Sequence, residues 1–266
     1  MQKFLLLTGL WVLPLLLLTS STLVHAGTFW TEDFEHGLAN WHLYDGAGPG
    51  NIEIVSNEAH SGKHSLRMHY DDLDTGVGPF MDHHSQHTTN MYIRAWVKWG
   101  PGFQIAPAFT KLVYAPRGDS NTGPGCLIDL NPGLGGGISF ICQSVPNDGQ
   151  NTDDFMHDVP RAELSEEWHC VEWRVYNGTV GKADGVVQMW WDDELVFQRR
   201  KIHFLVQPAD YYIVRMYRER GMGDIYWDDF SVGDSRQGCG NGPPPPTETD
   251  EPPAQIKNVT VTPGKR

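Results

Sequence analysis

Apolar and polar residues alternate with a period of two through most of this chain. In the segment from Tyr92 to Trp99, Ile93, Ala95 and Val97 take one face, while Tyr92, Arg94, Trp96 and Lys98 take the other. From His169 to Val175 the apolar set is Val171, Trp173 and Val175, opposite Glu172 and Arg174. From Val186 to Trp191, Val187, Met189 and Trp191 oppose Gln188 and Trp190. From Tyr211 to Glu219, Tyr212, Val214 and Met216 oppose Tyr211, Ile213, Arg215, Tyr217 and Glu219. Residues 65–70 and 225–232 alternate as well. Successive side chains of a strand point to opposite faces, so this pattern predicts half-buried antiparallel strands. Turn formers such as Asn177-Gly178 and Ala183-Asp184-Gly185 separate them. No segment with a helical period competes. The expected fold is all-β, a two-sheet antiparallel β-sandwich of the jelly-roll type.

The two ends read differently. Lys3 precedes an apolar run from Phe4 to Leu18, followed by small residues and Val24-His25-Ala26. This is the layout of a secretory signal, expected over residues 1–26 with cleavage after Ala26. A secreted, extracellular or periplasmic protein with no membrane contact after cleavage is the expectation. After Gly238 comes Pro243 to Pro253, rich in Pro, Thr and acids, which reads as a solvated linker. The folded domain is therefore expected over 27–237, with 238–266 a Pro-rich tail.

Composition agrees with a β protein. Of 266 residues, 11% are aromatic, 29 are Gly and 18 are Pro, which suits many short strands and turns. The formal charge is −13, from 20 Lys+Arg against 33 Asp+Glu. Such a chain is a poor partner for nucleic acid, whose phosphates need clustered cations. Four cysteines in an exported protein suggest two disulfides, and four allow three pairings. The favoured one is Cys126–Cys142, stapling a Gly-rich segment, with Cys170–Cys239. The spacings are not those of a zinc site.

The polar strand faces carry the functional argument. If these strands share one sheet, their outer faces gather Tyr92, Arg94, Trp96, Lys98, Glu172, Arg174, Gln188, Trp190, Arg215 and Tyr217. Cations outnumber acids there, in a chain that is acidic as a whole. Aromatic faces stack on sugar rings, and Arg forks pair with carboxylates. The expected ligand-binding groove is therefore one for an anionic, uronate-containing polysaccharide. Ordinary solvated strand faces laced with salt bridges are the plain alternative.

Several segments resemble a known superfamily. Trp30 to Trp41, Ala59-His60-Ser61-Gly62-Lys63-His64-Ser65-Leu66-Arg67 and Ile225 to Val232 are similar to the opening, second and closing strands of secreted carbohydrate-binding jelly rolls. Glu167 to Val175 and Asp184 to Phe197 resemble the paired strands of concanavalin A-like lectins and glucanases, a superfamily that includes polysaccharide lyases. The resemblance implies a curved sheet that binds a glycan. It also implies a structural Ca2+ between the first and last strands, for which the matching acids are Glu35 and Asp228.

Enzymatic activity is weighed on the same residues. The Glu-x-Asp-x-x-Glu string of retaining glucanases, which supplies their two carboxyls, is missing from the sequence. β-Elimination from a uronate needs a base for the C5 proton, a group to neutralise the carboxylate and an acid for the leaving oxygen. Candidates are Tyr217 and Tyr92 for the proton work and Arg94, Arg174 and Arg215 for the carboxylate. Lys111 is a further candidate, since Phe109-Thr110-Lys111-Leu112 resembles a segment at the cleft of glucuronan-type lyases. The runner-up expectation is thus a uronan lyase using the same groove. The run Asp82-His83-His84-Ser85-Gln86-His87 reads as a solvated loop, with a histidine base or metal site as alternatives.

Overall fold

The computed structural model describes residues 27–44, 51–73, 77–86, 88–108, 110–118, 125–131, 137–143, 152–156, 164–179, 182–203 and 211–240. The expected signal segment 1–26 and the tail beyond 240 lie outside them.

The elements are β1 (Thr28–Glu32), β2 (His42–Tyr44), β3 (Asn51–Val55), β4 (Ser65–Asp71), β5 (Val77–Gln86), β6 (Asn90–Trp99), β7 (Thr110–Gly118) and β8 (Gly125–Asn131). They continue with β9 (Gly137–Gln143), β10 (Thr152–Met156), β11 (His169–Tyr176), β12 (Ala183–Trp191), β13 (Glu194–His203), β14 (Tyr211–Glu219) and β15 (Met222–Gly233). They form two antiparallel sheets. The first runs β13-β12-β11-β6-β15-β4-β3, with β1 also on β15, and the second runs β10-β9-β8-β7-β14-β5-β2. The expected all-β jelly-roll sandwich is present.

The core lies between the sheets and is filled by the alternate residues the sequence marks. Ile93, Ala95, Val97, Val171, Trp173, Val187 and Met189 come from the first sheet. Met81, Val113, Ile128, Val214 and Met216 come from the second. Trp99, Trp173 and Trp227 are fully buried within it. Strand β15 closes the first sheet at the chain's two ends, pairing with β6 and, through Thr28↔Gly233 to Glu32↔Phe230, with β1.

The segment expected as a loop at Asp82–His87 belongs, up to Gln86, to β5. Its alternation was hidden because a histidine takes an inward position. His83 stacks on Trp30 with ring centroids 3.8 Å apart, next to the buried Met81. His87 and the side chain of His84 lie outside the described residues. The disulfide Cys170–Cys239 is present. Cys126, also disulfide-bonded, stands opposite Cys142 in the β8–β9 register. The Cys142 side chain lies outside the described residues.

Candidate functional site on the second sheet

Most of the expected groove residues on the first sheet are engaged within the chain. Residues 234–239 run as a strap across that sheet's outer face, and Cys170–Cys239 ties the strap down. Buried Glu172 accepts the backbone N–H of Gln237 at 2.7 Å and of Gly238 at 2.9 Å. Burial pushes its carboxyl up, and these amides with Arg236 and Arg94 pull it back. Arg94 donates to the Gly238 carbonyl at 3.2 Å. The Arg236 guanidinium lies 4.8 Å from the Trp190 ring centre, leaving Trp190 2% exposed. Further along β6, Trp96 is stacked under His60 at 3.6 Å, and Lys98 pairs with Glu58 at 2.6 Å. Gln188 is fully buried and Tyr92 nearly so. Of the first-sheet set, Arg174 is the cation bonded neither to the strap nor to an acid among the described residues.

The residues matched to a calcium site anchor a loop. One Glu35 oxygen accepts the N–H groups of Lys63 and His64 at 2.6 and 2.7 Å, and the other faces His64 Nδ1 at 3.2 Å. These amides hold its carboxyl down at about 2. One Asp228 oxygen accepts the N–H groups of His60 and Ser61, and the other accepts that of Asp229. Burial and the adjoining Asp229 charge push Asp228 up to about 7 against those donors. Gly62, at φ +61°, lets the loop pass so close to Glu35 that an added Cβ would collide with its Oε1. N–H donors aimed at these oxygens do not fit a hard cation, which wants them free.

The second sheet gathers a different set. Register places His42, Asp82, Arg215 and Tyr114 side by side across β2, β5, β14 and β7. Directly opposed residues of neighbouring strands share a face. This row is the outer one, because the next residues along, Met81, Met216 and Val113, are buried in the core. Arg215 grips Asp82 with both arms, Nε to Oδ1 and Nη2 to Oδ2, each at 2.5 Å. Asp82 is only 2% exposed, so the pair is a desolvated fork. The Tyr44 ring centre lies 5.6 Å from the Arg215 guanidinium, and the residue is at the exposed edge. Tyr114 is half-buried; burial pushes its phenol up and Arg215 pulls it down. Burial and the Asp82 charge push Tyr44 up as well. Lys111, half-buried, stands on β7 between Asp129 of β8 and Glu219 of β14. Beside the row, Asn40, Trp41, His42, Asp82 and His83 line an open cleft of about 340 Å3.

The single groove expected from one shared sheet is therefore corrected to two faces. Arg215 and Tyr217 sit on β14 of the second sheet, whereas Tyr92, Arg94, Trp96, Lys98, Arg174, Gln188 and Trp190 belong to the first. Among the elimination candidates, the structure brings Lys111 and Arg215 onto one sheet and places Tyr92 on the other. Tyr217 pairs with Phe80 in the register, and its side chain lies outside the described residues. Sequence reasoning missed Tyr114, Asp82 and Tyr44. Tyr114 could have been found, since it lies three residues after Lys111. Asp82 was concealed by the histidine run.

No protein-family model matches the sequence, and no curated relative does. Solved structures do share its architecture. The endo-β-1,4-glucuronan lyase of the fungus Trichoderma reesei is similar at a TM-score of 0.57 and 13% identity, covering 79% of this chain and 96% of that one. The PL-14 alginate lyase of Aplysia kurodai gives 0.56 and 14%, covering 78% and 99%. The cellulose induced protein Cip1 gives 0.55 and 16%, covering 79% and 100%. The fold is thus the jelly roll that these solved structures share. At these identities the likeness concerns the fold, and function must be argued from the site.

Proposed function

We propose that this protein binds a uronate-containing polysaccharide across the outer face of its second sheet and cleaves it by β-elimination. The observation that supports the reading is the row on adjacent strands in which Tyr114 stands beside the buried Arg215–Asp82 fork, with Lys111 further along β7. In this reading the Lys111 ammonium neutralises the uronate carboxylate, which makes the C5 proton acidic. The Tyr114 oxygen takes that proton as a phenolate, a form the adjoining Arg215 charge favours against burial. The C5–H electron pair forms the C4=C5 double bond, and the C4–O bond breaks toward the leaving sugar oxygen. The proton held on Tyr114 then passes to that oxygen, so no water is consumed. The Arg215–Asp82 fork is a positioning pair, fixing β14 and β5 beneath Tyr44 and Tyr114. The glucuronan and alginate lyases of like fold act on uronate polymers by name, which agrees with the substrate class.

Binding without cleavage is the second reading. It is favoured by burial, which pushes the Tyr114 phenol up and so works against the phenolate that cleavage needs, and by Arg215 spending both arms on Asp82.

Glucuronan, alginate and related uronans, followed by the ultraviolet absorbance of the unsaturated product, test the two together. Cleavage predicts an absorbance rise that Tyr114→Phe lowers by about 100-fold or more, in the range of general acid–base effects, with gel retardation on the same polymer kept. Retardation without any rise leaves binding alone. Neither signal on any uronan would overturn the proposal.

A further inference from the structure

The first sheet keeps a cationic patch whose guanidiniums make no bond to the strap among the described residues; the strap reaches it through Asn90, which donates to the Asp234 carbonyl at 2.9 Å. Register aligns Tyr92, Arg174, Gln188 and Gln198 in a row across β6, β11, β12 and β13. Arg200 stands in the adjoining row, opposite Val186 of β12. Arg174 donates from Nε to Asn90 Oδ1 at 2.7 Å and from Nη1 to Gln188 Oε1 at 2.9 Å. Its guanidinium also packs 5.3 Å from the Tyr92 ring centre and 5.6 Å from that of Tyr176. Two amide oxygens and two phenol rings thus fix the plane of the guanidinium, and its Nη2 carries no bond among the described residues. Arg200 lies against the side-chain oxygen of Gln198.

Charge makes this arrangement unusual for the molecule. Among the described residues neither Arg174 nor Arg200 pairs with a carboxylate, although the chain carries 33 Asp+Glu. The acids nearby in sequence register are spent elsewhere. Glu172 holds the strap amides, and Asp184 accepts the Thr179 N–H at 2.7 Å. A guanidinium already fixed in plane loses little freedom when it forks onto a carboxylate. At about 4.8 Å per strand, β11 and β13 lie about 10 Å apart. That spacing suits two carboxylates of one polymer better than one small ion.

We infer that Arg174 and Arg200 form a second docking site, for the carboxylates of a uronate polymer, on the face opposite the proposed reaction site. The class of polymer rests on the proposed function; the site itself rests on the patch. Titration calorimetry of the full chain with a short oligoglucuronate or oligoalginate tests it. Wild type should bind two oligosaccharides per chain. Arg174→Gln with Arg200→Gln should remove one of them, or weaken it at least tenfold, while Lys111→Ala leaves that one intact. Arg200→Gln alone, on an edge strand, guards against a folding artefact and should weaken the same site. Unchanged binding in both arginine variants, with all binding lost in Lys111→Ala, would overturn the second site and leave the first. The reverse pattern would uphold the patch and sink the second-sheet reading. Inorganic sulfate that occupied the patch as tightly as the oligosaccharide would overturn the polymer assignment.

Discussion

The strap over the first sheet makes a quantitative prediction for Cys170→Ala/Cys239→Ala. The disulfide joins residues 69 apart in sequence, so it closes a large loop in the unfolded chain. Loop-closure entropy for that length amounts to about 4 kcal/mol at 25 °C. The strap should nevertheless stay seated, because Glu172 still accepts two backbone amides and Arg94 still reaches the Gly238 carbonyl. Two effects are therefore expected together. Guanidinium unfolding should show a loss of about 3–4 kcal/mol, with a larger m-value because the unfolded chain expands. Acrylamide quenching of the native tryptophans should not change, since Trp190 remains under Arg236. A loss below about 1 kcal/mol would refute the cross-link argument. Increased quenching at native conditions would show that the disulfide, and not Glu172, seals the face.

Arg215→Ala should destabilise the protein by about 3–5 kcal/mol in the same unfolding assay, because it strands the buried Asp82 carboxylate; a cost under about 1 kcal/mol would mean that Asp82 finds other partners. Gly62→Ala should cost about 1–3 kcal/mol, from a left-handed backbone and a collision with Glu35; a neutral result would show that the loop moves aside. The pH dependence around that loop has a definite sign. Asp228 titrates near 7 when folded against 3.8 as its ordinary value, so the folded state holds a proton that the unfolded state lacks between them. Its contribution should favour folding as pH falls from about 8 to 4 and oppose it as pH rises. The melting-temperature difference between wild type and Asp228→Asn should therefore move in favour of the variant as pH rises through 7, and a flat difference from pH 5 to 8 would contradict this. Glu35 works the opposite way, its contribution being lost as pH falls below about 4.5 toward 2.

The inward faces of the strands were legible in the sequence. Ile93, Ala95 and Val97, then Val214 and Met216, are buried as their alternation requires. Sheet membership was not, for a physical reason. Alternation tells which side of a strand meets the core, and both sheets of a sandwich obey the same rule. Strand β14 pairs with β7 and β5, neither its neighbour in sequence, and nothing in Tyr211–Glu219 distinguishes that placement from one beside β11. Ion pairing was hidden for the same reason. The partner of Arg215 is Asp82, 133 residues away, in a segment where His83 replaces the expected apolar residue. The strap was missed because Glu172 looks like an isolated surface acid until Gln237 and Gly238 come back to it. The cysteine at 239 was the readable sign that the chain returns to β11.

These distant partners decide where an acidic polymer can be attracted and where it can be changed. On the second sheet Arg215 is balanced in place by Asp82, and Lys111 stands opposite Asp129 in the β7–β8 register. Such a face offers local chemistry, through phenols and one ammonium, and little long-range pull. On the first sheet Arg174 and Arg200 face no acid among the described residues, so their field is uncompensated locally. Under the two proposals, attraction and reaction fall on opposite faces of one sandwich. Salt should then separate them, because exposed charges are screened within about 8–10 Å at physiological ionic strength. Retention of a long uronan should drop steeply with salt in wild type and much less in Arg174→Gln/Arg200→Gln. The cleavage rate on a saturating short oligosaccharide should change little in either. Equal salt sensitivity of retention in the two proteins would place the attraction elsewhere.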